Sequence, residues 1–512
     1  MQYGVLKDIF LLCTGLMAQP LDNFPEVFLS SDDLSSAVSR AVAAGELRQL
    51  GPRLYTKNLT DAPEIIIRRN AWPIVAAYAP GALIADRTAL ENRPAEDGSV
   101  FIVAARRRDI QLPGLWIRPR SGPAPMDDDR AFIGGLRLSS PGRAYLDNMA
   151  PSRKRGGVSR TLRREELELR LDDIMRRRGV EALNQVRDEA RRIAPMIGRD
   201  EEFAAFDKLV GALLGTRDDD LVSDRARARR TGAPFDPDRI ALFEHLHQEL
   251  QNTALPSRPV AARTGETNAS LTFFEAYFSN FIEGTEFEVA EAADIIFNNV
   301  IPADRPEDAH DVLGTWRIVS DPVEMARTPQ TVDALVDLIK KRHAILMESR
   351  RDKLPGAFKQ ASNRAGQTVF VAPDLVEGTL ARGFEFYPSL TTPLARAIYM
   401  MFLISEVHPF ADGNGRIARI MMNAELVAAG EERIIIPTIL RSNYLSALKA
   451  HSLSRHPAAL VRTLDFAQKW VAAIPWSDLK RSQEALARTN AFMDPAAADD
   501  SGIRLKIPQA YE

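Results

Sequence analysis

The stretch His408-Pro-Phe-Ala-Asp-Gly-Asn-Gly-Arg-Ile-Ala-Arg419 sits between two apolar segments, 394–407 and 417–429. Both are built of helix formers, and in the second Ile417, Ile420, Met421 and Ala424 recur at helical spacing. Two buried helices joined by a glycine-containing turn are expected here. Gly413 and Gly415 allow a tight turn that brings backbone N–H groups close to a ligand, and the following helix adds the positive end of its dipole. Such a turn is an anion site suited to phosphates. Arg416 and Arg419 fall on one face of the helix's first turns, where two guanidinium forks can hold neighbouring phosphates. Asp412 offers a hard oxygen ligand beside them, suited to a magnesium ion shared with those phosphates. His408, at the lip of the turn, can take up a proton near neutral pH, as a general base working at a phosphorus centre must. A hydrophobic core alone has no use for two glycines, two arginines and an aspartate together.

The same residues resemble the Fic family motif, His-x-Phe-x-Asp/Glu-Gly-Asn-Gly-Arg-x-x-Arg, at every constrained position. An accidental match has a frequency on the order of 10^-10 per start position. The resemblance implies transfer of AMP from ATP to a hydroxyl of a target protein. On that basis His408 deprotonates a Ser, Thr or Tyr that attacks the α-phosphorus, and Asp412 holds magnesium. Asn414 and the amides of Gly413 and Gly415 hold phosphate oxygens, Arg416 binds the β- and γ-phosphates, and pyrophosphate leaves. Doc-like kinases of the same fold transfer phosphate but depart at the second glycine or the following arginine, both kept here as Gly415 and Arg416. Transfer of UMP or phosphocholine stays open.

Upstream, Ser279-Asn280-Phe281-Ile282-Glu283-Gly284 is similar to the inhibitory motif of one regulated class of this family, Ser/Thr-x-x-x-Glu-Gly/Asn. The resemblance implies that Glu283 pairs with Arg419 and removes its guanidinium from the γ-phosphate, with Ser279 and Gly284 as the other fixed positions. Between the two motifs, 354–366 and 368–373 read as a hairpin around an Asn- and Gly-containing turn. In the family this position is the flap, which aligns an extended target backbone as an added strand. Phe358, Thr368, Val369 and Phe370 are its candidate docking residues.

The 512 residues carry a net charge of -3 and 45% hydrophobic content, an ordinary globular composition without the basic excess of a chain built wholly for nucleic acid. The single Cys13 excludes an internal disulfide and cysteine metal clusters, and the apolar run 9–17 is too short to span a bilayer. A cytoplasmic protein with no membrane partner is expected. The remaining histidines, 245, 247, 310, 343, 451 and 456, show no metal-ligand spacing and receive no role.

At the amino-terminal side, helices over 5–18 and 34–44 followed by strands in 47–56 around Gly51-Pro52 read as a winged helix. In that reading Ser35, Ser36, Ser39 and Arg40 face a DNA major groove, while Arg48, Arg53 and Lys57 reach backbone phosphates. An interaction module without DNA and a solvated helical cap are the competing readings. Segments 45–55, 73–90, 101–120 and 136–147, with Pro52-Arg53-Leu54-Tyr55 at the wing and Ser139-Ser140-Pro141-Gly142-Arg143-Ala144 at a helix start, resemble AbiEi-type antitoxins, winged-helix regulators of toxin-antitoxin loci. The basic run 151–157 reads as a glycine-containing break or linker that could also touch phosphates, with a solvated helix face following it favoured by Glu165, Glu166 and Glu168. The run 225–230 reads as a solvated helix face, with extension of a nucleic-acid surface as the alternative.

The expected fold is mainly α: a Fic helical bundle with a β-hairpin flap, preceded by a winged-helix and small α/β region. The expected divisions are a winged helix at 1–75, an α/β extension at 76–150, a helical linker at 151–236, the Fic domain at 237–480 and a flexible tail at 481–512. The functional expectation is an autoinhibited protein adenylyltransferase using ATP and Mg2+ on a target protein or on itself, with a homo-oligomer left open. A DNA-binding or toxin-antitoxin regulator whose Fic domain modifies itself is the alternative.

Overall fold

The computed structural model describes residues 24–105, 108–150, 152, 157–260, 265–366 and 368–508. The chain divides into two units, Met1–Arg230 and Thr231–Glu512.

In the first unit, strand β1 (Val27–Leu29) precedes helix α1 (Ser35–Ala43), and the ribbon β2 (Arg48–Gly51) and β3 (Leu54–Thr56) follows. β3 lies between β1 and β2, all antiparallel. The strand at 27–29 is an element the sequence reading lacked, and the helix expected at 5–18 lies outside the described residues. Next come α2 (Pro63–Arg69), α3 (Ala71–Tyr78), β4 (Leu83–Ile84), α4 (Asp86–Glu91), β5 (Ser99–Val103), β6 (Ile110–Leu112), β7 (Leu115–Arg120), β8 (Arg130–Ala131), β9 (Arg137–Leu138) and α5 (Pro141–Met149). These strands form a mixed sheet in the order β6-β7-β5-β4-β9-β8. Ile66, Ile67, Ile74 and Val75 of α2 and α3 share one buried cluster with Leu50 and Leu54 of the ribbon and Val100, Ile102 and Ile117 of the larger sheet. One core therefore serves both the ribbon and the larger sheet, and the boundary expected at 75 falls inside α3.

Helices α6 (Arg164–Ile197, broken at Gly179), α7 (Asp200–Leu213) and α8 (Asp224–Arg230) complete the unit. They are packed elements, not a linker. Leu167, Leu171, Leu183 and Ile193 of α6 share a core with Leu146 of α5 and Phe206 of α7, and Tyr145 stacks on Phe206. The basic run of α8 is ion-paired: Arg225 and Arg229 both hold Asp172 of α6.

The second unit consists of α9 (Pro237–Asn252), α10 (Gly265–Ile282), α11 (Val289–Asn298), α12 (Pro306–Val319), α13 (Pro322–Met325), α14 (Val332–Leu346), the hairpin β10 (Arg364–Ala365) and β11 (Thr368–Val369), α15 (Val376–Phe384), α16 (Pro393–Val407), α17 (Asn414–Ala428), α18 (Arg441–Ser454), α19 (Ala458–Ala473), α20 (Leu479–Arg488) and α21 (Pro495–Asp500). Nearly every residue of α16 is buried, as a helix apolar all round its circumference must be. It packs along α17 at the centre of the main core, with Phe243, Ile339, Leu346, Val376 and Leu464 around the pair. Of the segment expected to be a flexible tail, residues 481–508 are described and packed: Leu486, Ala491, Ala498 and Leu505 share a core with Phe274, Phe278 and Trp470. Its apolar residues recur at helical spacing, so a composition rich in Ala and Asp misled the sequence reading. Among the described residues no helix is long and apolar enough to cross a membrane.

Candidate active site

The motif turn links α16 to α17. His408 caps α16 in a left-handed conformation (φ 52°), and its N–H donates to the Ile404 carbonyl at 2.9 Å. His is among the residues that tolerate this region better than most. Gly413 is again left-handed (φ 72°) and hands the chain to Asn414, the first residue of α17. A side chain at Gly413 would meet Met347 Sδ at 3.0 Å, so conformation and space both call for glycine there.

The imidazole of His408 lies 3.2 Å, through Nδ1, from the Ser405 carbonyl, which can only accept. The proton therefore sits on Nδ1, and Nε2 keeps its lone pair. Burial pushes the His408 pKa down to about 4, against the opposing hydrogen bond to Ser405 and with the nearby Lys359 charge adding to the fall. The ring is thus neutral at pH 7. Phe370 lies flat on it, with centroids 3.7 Å apart and planes 3° from parallel.

Under the turn, Phe410 is fully buried and stacks on His343 at 3.8 Å. His343 accepts from the Gly356 N–H at Nδ1 (3.0 Å) and so donates through Nε2 to the Asp412 carbonyl (3.1 Å). Burial lowers its pKa to about 4. This histidine, given no role from sequence, supports the catalytic turn from below. Only its partners reveal that, and both lie far from it in the chain.

Two motif residues make contacts within the chain that the resemblance did not describe. Asn414, 2% exposed, spends both ends of its amide on one residue: its Oδ1 accepts from the Phe410 N–H (2.8 Å) and its Nδ2 donates to the Phe410 carbonyl (2.9 Å). It closes the turn on itself with these two bonds. Arg416, 3% exposed, pairs through Nη1 with Asp311 of α12 at 2.7 Å, with Asn280 Oδ1 at 3.4 Å, while its Nη2 lies 3.7 Å from Asp412 Oδ1 on the rim. A buried guanidinium needs a carboxylate, and α12 supplies one. Asp311 is also held by Arg350 at 2.9 Å.

Arg419 points the other way, into the end of α10. Its Nε donates to the Ser279 hydroxyl (3.0 Å), and its Nη2 donates to the Ser279 carbonyl (2.8 Å) and to Glu283 Oε1 (2.7 Å). Burial pushes the Glu283 carboxyl up, but the Arg419 charge and hydrogen bond outweigh it and hold its pKa below the usual range. The same Oε1 lies above Gly415, where a Cβ would come within 2.2 Å of it. A carboxylate oxygen thus occupies the mouth of the anion site at the start of α17, where unpaired helix N–H groups favour negative charge. Glu283 reaches this point because α10 ends at Ile282 and Gly284 turns the chain away with φ 92°.

Asp412 sits on the rim with its side chain 44% exposed, and its Oδ1 accepts from the Gly413 N–H at 2.6 Å. Among the described residues no group of three carboxylates, histidines or cysteines could cage a metal ion. One rim carboxylate beside a phosphate site does fit magnesium, which takes one or two carboxylates together with phosphate oxygens and water.

The flap hairpin is shorter than expected. Arg364 pairs with Val369 and Ala365 with Thr368, whereas 354–359 forms no strand. Val369 is exposed, Thr368 half-buried, and Phe358 packs inward on Phe410 at 5.5 Å. Phe358 and Phe370 therefore face the turn, and Val369 faces outward.

Of the candidate DNA contacts, Ser35, Ser36, Ser39 and Arg40 are exposed on α1. Arg48 and Arg53 are used within the chain. Arg48 donates to the Asn58 carbonyl at 3.0 Å, and Arg53 donates to the Ser30 carbonyl at 2.8 Å and pairs with Asp32.

Comparison with known proteins gives a family likeness. The profile of the Fic/DOC family matches residues 333–426. A protein adenylyltransferase Fic of Drosophila grimshawi is 25% identical over 299 residues, 57% of this chain and 60% of that protein. A Fido domain-containing protein of Dictyostelium discoideum is 35% identical over 80 residues, 15% of this chain and 56% of that protein. The chain thus spans less than two thirds of either relative. A solved Fic-1 fragment from C. elegans aligns at 16% identity over 64% of this chain and 88% of the fragment, with a TM-score of 0.35, and nothing further rests on that alignment. The profile match spans nearly all of α14, the flap, α16 and nearly all of α17, so this stretch of the chain is similar to the Fic/DOC family.

Proposed function

We propose that this chain is a protein adenylyltransferase that moves AMP from ATP to a Ser, Thr or Tyr hydroxyl of a protein or of itself, and that Glu283 restrains it. The observation that carries the reading is the Glu283 carboxylate seated over Gly415 and paired with Arg419, a negative group already lodged where a nucleotide phosphate would go. Relatives named as adenylyltransferases support the nucleotide and the group transferred.

His408 Nε2 takes the proton of the target hydroxyl, whose oxygen attacks the α-phosphorus. The α–β bridging bond breaks and pyrophosphate leaves. Because Nδ1 is tied to Ser405, the ring presents the correct nitrogen without a tautomer change. The first N–H groups of α17 receive the phosphate oxygens, and Arg419, once freed from Glu283, extends the site toward the terminal phosphates. Asp412 would hold magnesium, which when bound neutralises phosphate charge and favours departure of pyrophosphate. Arg416 keeps α12 and α17 in register through Asp311, and Asn414 holds the turn, so both act by positioning.

The test is transfer of label from α-phosphate-labelled ATP with magnesium. Glu283→Gly frees Arg419 of a charge-assisted bond worth roughly 1.5–3 kcal/mol, so transfer should rise by about tenfold to a hundredfold. His408→Ala in the same background should remove the label. Equal labelling by wild type and Glu283→Gly would end the claim of restraint, and absence of label from both would end the claim of adenylyl transfer.

A further inference from the structure

We infer that Arg239, outside the motif, is the anchor that holds the flap strand over His408, and that it serves capture of the protein substrate rather than binding of nucleotide. The inference rests on the proposed adenylyl transfer for its meaning, but not for its measurement.

A hairpin of two residues per strand cannot hold itself, since isolated two-stranded ribbons are marginal in water even when longer. Its first arm is tied to the motif turn. Asn363 donates through Nδ2 to the Phe410 carbonyl at 2.9 Å, accepts from Lys359 Nζ at 2.7 Å through Oδ1, and its carbonyl accepts from the Phe370 N–H at 3.2 Å. The second arm is held by Arg239, from the first turn of α9, which donates through Nη2 to the Val369 carbonyl. Its Nη1 pairs at 2.8 Å with Glu406 Oε1, near the end of α16 and two residues before His408.

Glu406 is 3% exposed, and its other oxygen accepts from the Ser452 hydroxyl. A carboxylate so buried, hydrogen-bonded by Ser452 and ion-paired with Arg239, favours a guanidinium placed to span from the base-bearing helix to the flap backbone. Only a planar fork makes both contacts at once. A lysine ammonium, a single point donor, can keep the ion pair but is poorly suited to reach the carbonyl as well. The residue after Val369 is Phe370, the ring stacked on His408. Arg239 is therefore a positioning residue: it sets where the strand edge lies and, through Phe370, how the base is covered.

The experiment uses the full chain with Glu283→Gly as parent and compares Arg239→Ala and Arg239→Lys. Three quantities are read: hydrogen exchange of the amides in 362–371, affinity for ATP with magnesium, and AMP transfer to protein. Loss of the anchor should speed flap exchange by about tenfold or more in Arg239→Ala, and by less in Arg239→Lys. ATP affinity should stay within about threefold, while transfer falls by about ten- to a hundredfold, because a displaced strand misplaces the attacking hydroxyl. If Arg239→Ala loses its fold, Arg239→Lys, which keeps Glu406 paired, still decides the matter by exchange. Unchanged flap exchange in folded variants, or a loss of ATP affinity as large as the loss of transfer, overturns the inference. A parent that transfers no AMP overturns the adenylyltransferase reading instead, and the exchange comparison still decides the anchor.

Discussion

The motif turn and the flap touch each other through the His408–Phe370 stack, yet they are held by opposite means. The turn is fastened from every side. Asn414 closes it with two bonds to Phe410, His343 supports it from below, and Asp311 fixes the arginine that follows. The flap presents exposed residues on two short strands and depends on Asn363, Arg239 and the Phe370 stack for its place. The difference fits what the proposed adenylyl transfer would ask of each. Phosphoryl chemistry needs donors and a base held in place before reaction, whereas a strand that receives another protein's backbone must accept varied side chains.

The largest effect expected from breaking the contrast is on the turn's one reacting group. His408→Ala should lower transfer by roughly 10^2 to 10^4 while ATP still binds, since the ring contributes proton transfer and no phosphate contact. Full transfer by that variant, measured with labelled ATP, would remove His408 from the chemistry.

The buried histidines give the next effect. The folded values of His343 and His408 are both about 4, below the ordinary value of about 6.5, so the folded protein binds fewer protons than the unfolded chain between these limits. Stability should be full above pH 6.5 and fall as pH drops toward 4, by about 1.4 kcal/mol for each unit of depression. Transfer should stay flat from neutral pH to about 5 and fall to about half near 4. Denaturant melts and rates across that range check both, and a transfer rate that halves at pH 6.5 would contradict the depressed value for His408.

A smaller loss is expected at Asn414. Asn414→Ala leaves the Phe410 N–H buried without its acceptor and should cost about 1–3 kcal/mol, seen as a lower urea midpoint. If Asn414 instead faced phosphate, ATP affinity would fall with stability unchanged. The smallest effect belongs to the flap: Val369→Thr, at an exposed position, should leave stability within about 0.5 kcal/mol. A larger shift would mean that the hairpin is as tightly packed as the turn.

How much of this was legible in the chain depends on sequence distance. The helix, turn, helix order and the glycine positions lie within one contiguous stretch, and so were readable. The direction of each motif side chain was not, because it depends on what stands opposite. Arg416 and Arg419, expected to face phosphates together, diverge because α12 offers Asp311 to one and α10 offers Ser279 and Glu283 to the other. The first-unit divisions and the tail failed for a related reason. Composition says whether a segment is polar, but not whether its few apolar residues find a groove, as Leu486 and Leu505 do.

The sequence by itself determined the local physics of the site: a dipole-ended helix, a turn that only glycines permit, a histidine at its lip and a glutamate at the end of an upstream helix. These follow from backbone sterics and from groups close together in the chain. Only the tertiary structure decided which nitrogen of His408 is free, that His343 carries the turn, that Arg416 is spent on Asp311, and that Arg239 reaches the flap from 130 residues away. Each of these is a contact between elements, set by how helices pack around one core and invisible to the spacing of residues along any one of them.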